Sequence, residues 1–538
     1  MTLNTDGVLP VVVNNYRRYL WTDKMAAAFG SVVLAWRPNL GRRALLDNLP
    51  LVVLCLIPIL LYLPVMVSPL ERDEGVYATI AQRLLRGDVP YRDLFDNKPP
   101  IVYGWYAFSF LVFGEGVAAP RIVAALLLSF TTLAIFGEAR MLFPRRVAYL
   151  GAGAFAVATG LPFVALNANT EAYMLLPLVA SLVAFTIGTR RGRLSWFVLA
   201  GALGALAVMT KQVAVWNLVA LAVIALFWRW GKVETAWRRI TPLLSLLAGA
   251  AAATALIATP FLFAGAFSDF VYANISYNWL YVRFVTIGEG LPHLGLGVTL
   301  LSALAAPLVV GTALGIFTVL RRTRRNAAYL LVVWAAASAV GVASGGRFFP
   351  HYFLQLVPAM VLLTAVVVDD RFHGHDPHPR WKVATTFSAI LIFVSLGANA
   401  LLYLAPLRTE HRLAPTVIYQ EEWDAASQSL GAYISARTGP EDTIFNLGRQ
   451  SQIYFYADRR PAVRYFYDYV YDYDETALPV TLEALRQTKP VYIIDSLQPP
   501  LFEPTEKKPD ELAALLSQDY VYEGRIFFSD VYRLKAGR

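Results

Sequence analysis

Apolar runs of about 20 residues recur along this chain, each long enough to cross a hydrocarbon core of about 30 Å. They read as membrane helices. The 538 residues are 57% hydrophobic and only 16% charged, whereas a soluble domain carries roughly 25% charged residues and cannot hide so much apolar surface. The net charge of +9 does not point to nucleic acid, because Lys and Arg are gathered in short loops between the apolar runs, where they act as topology signals. The single cysteine, Cys55, lies inside the first run, so no disulfide framework is expected. That run begins near Leu45, is too long for a signal-peptide core and lacks a small-residue cleavage pattern; no cleavable signal is expected.

Length and periodicity predict an all-α polytopic membrane protein of about 11 spans. They fall at residues 44–66, 118–141, 148–166, 172–187, 196–209, 213–230, 242–263, 296–320, 327–342, 352–368 and 383–404. Residues 99–113 are apolar but too short, and are expected to be re-entrant or interfacial. Basic clusters fall in every second loop: Arg17 to Arg43, then Arg140 to Arg146, Arg190 to Arg193, Arg229 to Arg239, Arg321 to Arg325 and Arg371 to Lys382. The alternation places a basic segment 1–43 in the cytoplasm, and the opposite loops outside. Counting 99–113 as a span breaks this register. Three regions are therefore expected: 1–43, a membrane region 44–407 with a first outer loop 67–117, and an extracytoplasmic region 408–538.

Composition shifts in the last region, where charge becomes ordinary and long apolar runs end. A small α/β domain is expected there. Helices are predicted at 421–438 and 510–516, and strands at 443–447, 490–495 and 525–534. The Tyr/Asp run 465–474 reads as an exposed strand or loop, with sugar stacking as the alternative. His373, His375 and His378 look like a metal cluster, but the loop also holds Asp, Pro and Gly, so a divalent metal is possible without being indicated.

The unusual polar residues collect on the outer face. Asp73 and Glu74 begin a predicted amphipathic helix, 74–85, with Val76, Ile80 and Leu84 on one stripe; a carboxylate at a helix N-terminus stays ionised, as a general base requires. Solvated loop charge is the bland alternative. Glu171 follows the turn Asn167-Ala168-Asn169-Thr170 and is either a capping-turn residue or a second carboxylate facing Asp73. Lys98, Lys211, Arg347 and His351 lie at outer span ends. Snorkelling suits Lys211, whereas the irregular run Gly345–Tyr352 suits an anion site.

Three segments carry a family resemblance: Arg72-Asp73-Glu74-Gly75-Val76-Tyr77-Ala78, Pro90-Tyr91-Arg92-Asp93-Leu94-Phe95-Asp96-Asn97-Lys98-Pro99-Pro100, and Pro350-His351-Tyr352-Phe353-Leu354-Gln355-Leu356-Val357-Pro358. Over about Leu45–Leu404 the chain resembles the bacterial family 39 glycosyltransferases, similar to dolichyl-phosphate-mannose protein mannosyltransferases and the lipid A aminoarabinose transferase, all of GT-C fold. The resemblance implies a polyprenyl-phosphate sugar donor, an outward active site and inversion at the anomeric carbon, and it maps the family's acidic motif onto Asp73 and Glu74. Asp73 is then the expected base, with Glu74 and Glu171 beside it. Lys98, Lys211, Arg347, His351 and Tyr352 are expected at the donor phosphate, and Tyr77, Asp96, Asn97 and Asn169 at the sugar or acceptor. The acceptor is a glycan, lipid or protein outside the cytoplasm. No cofactor is expected, and a nucleotide-cradling Gly-rich loop is missing. A lipid or sugar transporter, or flippase, is the alternative; it needs polar groups at mid-span or inverted repeats, and neither is read here. A non-catalytic scaffold is the third reading.

Overall fold

The computed structural model describes residues 42–161, 167–227, 236–322, 326–368, 397, 421–496 and 510–536. The chain divides into two units, Met1–Val53 and Leu54–Arg538. Of the first, the described part is the opening of helix α1, Arg42–Tyr62. All that follows concerns the second.

Helices dominate up to residue 368. In order they are α2 (Arg72–Leu85), α3 (Ile101–Phe113), α4 (Ala118–Leu142), α5 (Arg145–Ala158), α6 (Thr170–Arg191), α7 (Leu194–Val208), α8 (Val215–Phe227), α9 (Ala236–Phe263), α10 (Phe267–Val271), α11 (Tyr277–Phe284), α12 (Ile287–Arg322), α13 (Asn326–Ser344) and α14 (Val357–Val368). A π-helical turn, Tyr272–Ser276, joins α10 to α11. Among the described residues five helices are long and apolar enough to cross a membrane, or six if the bent pair within α12 is one span. Four further apolar helices are shorter, including α3 and α7. The expected span 148–166 is described as a helix only to Ala158, and the expected span 383–404, like the histidines at 373–378, lies outside the described residues.

The short helices have physical causes. α7 stops before Lys211, and the backbone N–H of Ile101 donates to the freed carbonyl of Met209 at 3.0 Å. α12 bends by 94° between Gly290–Ala303 and Ala305–Arg321, because Pro307 lacks the N–H owed to the carbonyl four residues back. Small residues let α7 and α9 touch along their backbones: a Cβ on Gly201 would lie 1.8 Å from the Leu246 carbonyl oxygen, and one on Gly249 1.9 Å from that of Val198. Such close approach replaces the hydrophobic drive that is lost in lipid. Two ionisable groups are buried within α4, Arg121 near its start and Glu138 near its end, so the apolar run is less uniform than its hydropathy suggests.

Beyond residue 420 the secondary structure changes. Helices α15 (Glu421–Ser435), α16 (Gln452–Ala457), α17 (Ala477–Thr488) and α18 (Asp510–Asp519) accompany strands β1 (Thr443–Leu447), β2 (Arg460–Pro461), β3 (Tyr492–Asp495), β4 (Tyr520–Ile526) and β5 (Ser529–Leu534). The sheet order is β2-β1-β3-β5-β4. β2, β1 and β3 are parallel, while β3, β5 and β4 are antiparallel. Phe445, Leu447, Leu482, Leu485, Ile493, Leu512 and Leu516 fill its core. The single strand expected at 525–534 is instead a hairpin: Phe527 takes φ 54° and turns the chain between β4 and β5. The run 465–474 is largely buried, with Asp472 exposed. Tyr465, Phe466, Tyr467, Val470 and Tyr473 are all buried.

Candidate active site

α2 is started by its own carboxylates. Glu71 is the N-cap, its side chain accepting from the Asp73 backbone N–H at 3.0 Å, while the Glu74 side chain accepts from the Glu71 N–H at 3.0 Å. This capping box fixes where the next residues point. Glu74 turns inward and is fully buried. Arg121 of α4 grips it twice, at 3.1 Å and 2.6 Å, and the Ala168 N–H donates to it at 2.7 Å. Arg121 also donates to the carbonyls of Val65, Ser68 and Pro69. Glu74, expected beside Asp73 in catalysis, is therefore committed to a brace between the first loop and α4. Asp73 turns the other way. It is half-buried, and among the described residues its carboxylate has no hydrogen bond or ion pair. Further along, α2 presses on α16: a Cβ on Gly75 would meet backbone atoms of Gln452 at 2.6 Å and 2.8 Å, and Thr79 donates to the Ser451 carbonyl at 3.2 Å.

The Asp96–Lys98 segment is tied down from three sides. Buried Asp96 accepts from the hydroxyls of Tyr103 at 2.7 Å and Tyr467 at 2.8 Å. The Asn97 amide donates to Asn278 at 3.3 Å, and its carbonyl accepts from Gln212 and Asn278. Asp96 and Asn97, expected at the sugar or acceptor, thus spend most of their capacity inside the protein. Lys98 donates to the Asn97 side-chain oxygen at 3.0 Å. Burial opposes its charge, yet Asp96 and Asp73 hold its pKa above the ordinary lysine value.

Glu171 sits in the first turn of α6, buried. It pairs with Lys211, accepts from the Thr170 hydroxyl at 2.9 Å, and lies 3.8 Å from His351 Nε2. Lys211 does not snorkel. Its ammonium lies buried, 3.8 Å over the Tyr352 ring, and burial, helped by nearby Lys98, draws its pKa below the ordinary value against the pull of Glu171. His351 and Tyr352 lie in a 3₁₀ stretch, Pro350–Leu356, so the expected span 352–368 becomes α-helical only from Val357. Asn169 occupies the N-cap position without a side-chain cap bond; its Oδ1 and the Tyr77 hydroxyl are buried and have no hydrogen-bond partner among the described residues.

Arg347 is buried between tyrosines. Its guanidinium donates to the Tyr473 hydroxyl and lies 5.4 Å from the Tyr281 ring and 5.8 Å from the Tyr473 ring. Gly346, at φ 66°, supplies the left-handed bend that brings it there. The structure thus gathers Asp73, Lys98, Glu171, Lys211, Arg347, His351 and Tyr352: the charges of Asp73, Glu171, Lys98 and Lys211 all act on His351, and those of Asp73, Glu171 and Arg347 on Tyr352. Sequence reasoning missed Arg121, Gln212, Asn278 and Tyr281, and met Tyr467 and Tyr473 only as members of the Tyr/Asp run 465–474. An arginine in the first turn of an apolar span was a readable signal for Arg121; Tyr281 had none beyond the abundance of tyrosine around it.

Comparison with known proteins agrees with this architecture. A family described as dolichyl-phosphate-mannose-protein mannosyltransferase matches residues 97–262. The chain superposes on ArnT from Cupriavidus metallidurans bound to undecaprenyl phosphate with a TM-score of 0.57, at 16% identity, covering 91% of this chain and 99% of that one. The apo state of ArnT gives 0.57 at 14%, covering 89% and 97%. The Archaeoglobus fulgidus oligosaccharyltransferase tethered to an acceptor peptide gives 0.51 at 13%, covering 84% and 69%. No curated protein matches by sequence. The chain thus has the fold of the GT-C membrane proteins, and its residues 97–262 are similar to the dolichyl-phosphate-mannose-protein mannosyltransferase family.

Proposed function

We propose that the chain is a membrane glycosyltransferase that moves a sugar from a polyprenyl-phosphate donor to a hydroxyl of an extracytoplasmic acceptor, with inversion and with Asp73 as general base. One observation supports it above the rest: of the carboxylates Asp73, Glu74, Asp96 and Glu171, Asp73 has neither hydrogen bond nor ion pair among the described residues, and it faces Lys98, Lys211 and His351. ArnT, whose structure holds undecaprenyl phosphate, is a neighbour in fold.

In this reading the acceptor oxygen gives its proton to Asp73 and forms a bond to the anomeric carbon. The bond from that carbon to the phosphate oxygen breaks, and its electron pair leaves on the lipid phosphate. Lys98, Lys211, Arg347, His351 and Tyr352 stabilise the charge that grows there. Glu171 holds Lys211 in place, and Tyr77 and Asn169 offer unspent polar atoms to sugar hydroxyls. The N-terminus is cytoplasmic and the site outside.

The test is transfer of labelled sugar from a panel of polyprenyl-phosphate sugars in proteoliposomes. Asp73→Asn should lower the rate by about 10²–10⁴-fold with no loss of folded protein. Near-normal turnover by Asp73→Asn overturns the assignment.

A further inference from the structure

We propose that Tyr473 is a positioning residue for Arg347, so that the C-terminal segment 464–474 presets the guanidinium that meets the donor phosphate. The inference rests on the phosphate role given to Arg347 above.

Four observations carry it. First, Tyr473 touches Arg347 in two ways, with its hydroxyl as hydrogen-bond acceptor and its ring 5.8 Å from the guanidinium carbon. Second, the same ring packs 5.1 Å from Tyr281, which also neighbours Arg347, and 5.2 Å from Tyr469 of its own segment, so it cannot swing away without breaking the cluster. Third, the segment is anchored on both sides of Tyr473: the Phe95 N–H donates to the Arg464 carbonyl at 2.9 Å, Tyr467 to Asp96 at 2.8 Å, and Tyr272 to Asp474. Fourth, Arg464 pairs with Asp269 at 2.8 Å, tying the segment to α10. The anchors rest on the Asp96–Lys98 loop and on α10–α11, the same elements that place Lys98 and Tyr281. Arg347 is thereby held in register with Lys98 by residues that touch no donor.

The chemistry favours this arrangement. A guanidinium carries five N–H donors in a planar fork. The hydrogen bond to Tyr473 and the two neighbouring rings fix the plane of that fork. A free arginine would have to lose its rotamer freedom when the donor binds; here that loss is borne during folding.

The test measures binding of undecaprenyl phosphate, and of undecaprenol as its uncharged counterpart, to the full chain in lipid nanodiscs. Wild type should prefer the phosphate. Arg347→Ala should lose most of that preference. Tyr473→Phe keeps the ring and removes the hydroxyl; it should weaken phosphate binding by about tenfold, the low end for a hydrogen bond to a charged group, while undecaprenol binds as in wild type and the melting temperature is unchanged. In the double variant the loss should equal that of Arg347→Ala alone. If Arg347→Ala loses the preference while Tyr473→Phe binds phosphate as wild type does, the positioning role is wrong and the phosphate role of Arg347 stands. Additive losses, or equal losses for undecaprenol and the phosphate, also overturn it. If Arg347→Ala itself binds as wild type does, the phosphate assignment fails, and the positioning role with it.

Discussion

Two buried ion pairs stand close together in this molecule and do different work. Glu74–Arg121 joins α2 to α4, and every oxygen of the carboxylate is occupied by guanidinium or backbone N–H groups. Glu171–Lys211 joins α6 to the break before α8, but its cation also covers the Tyr352 ring and its carboxylate also faces His351, which is only partly buried. The first pair is closed and stiff. The second is open on one side, and a lysine is a point charge that can be shared with an incoming anion. A buried ion pair is thus no guide to function until the remaining capacity of both partners has been counted.

The sharpest way to break the comparison is Arg121→Ala. It leaves Glu74 buried without its cation, which typically costs about 3–5 kcal/mol, and thermal unfolding in detergent should show that loss together with poor yield. If Arg121→Ala is as stable as wild type and merely inactive, the brace belongs to the site after all. Lys211→Ala is the counterpart. Sugar transfer or undecaprenyl-phosphate binding should fall by about 1.5–3 kcal/mol, and the melting point should move less than for Arg121→Ala.

A pH series sharpens the second pair. The folded pKa of Lys211 is drawn below the ordinary 10.5 by burial, so the ammonium is lost, and activity with it, before ordinary lysine would titrate. Stability runs the other way. Between the lowered value and about 10.5 the unfolded chain binds more protons than the folded one, so unfolding free energy rises with pH there. Activity and stability curves of opposite slope in that window are expected, and Lys211→Arg should remove the alkaline limb. Parallel curves would take Lys211 out of the titration. The smallest effect is expected for Tyr467→Phe, which takes one of two hydroxyls from Asp96 and should cost about 1 kcal/mol in stability.

What could be read from the sequence followed locality. The apolar runs, the end of α2 at Leu85 and the bounds of β1, Thr443–Leu447, depend on neighbours a few residues apart. Asp73 was the expected base with Glu74 beside it, but that Glu74 is spent on a brace could not be read, because its partner Arg121 lies 47 residues on. Lys211 looked like a snorkelling lysine because Glu171, 40 residues back, has no periodic link to it. Tyr465–Asp474 read as exposed because its alternating polarity fits a wet strand; in the fold the tyrosines face a wall built from residues about 200 and 370 positions away in the chain.

The Tyr467–Asp96 hydrogen bond spans 371 residues. A ribosome adding about 5–20 residues per second leaves Asp96 waiting on the order of 20–70 s before its partner exists. During that interval the first loop, with Asp73 and Lys98 already made, lacks the Arg464–Asp474 segment that anchors it. The nascent chain holds these groups long before it holds them in place, and the proposed transfer activity should arise only after residues 464–474 have been made.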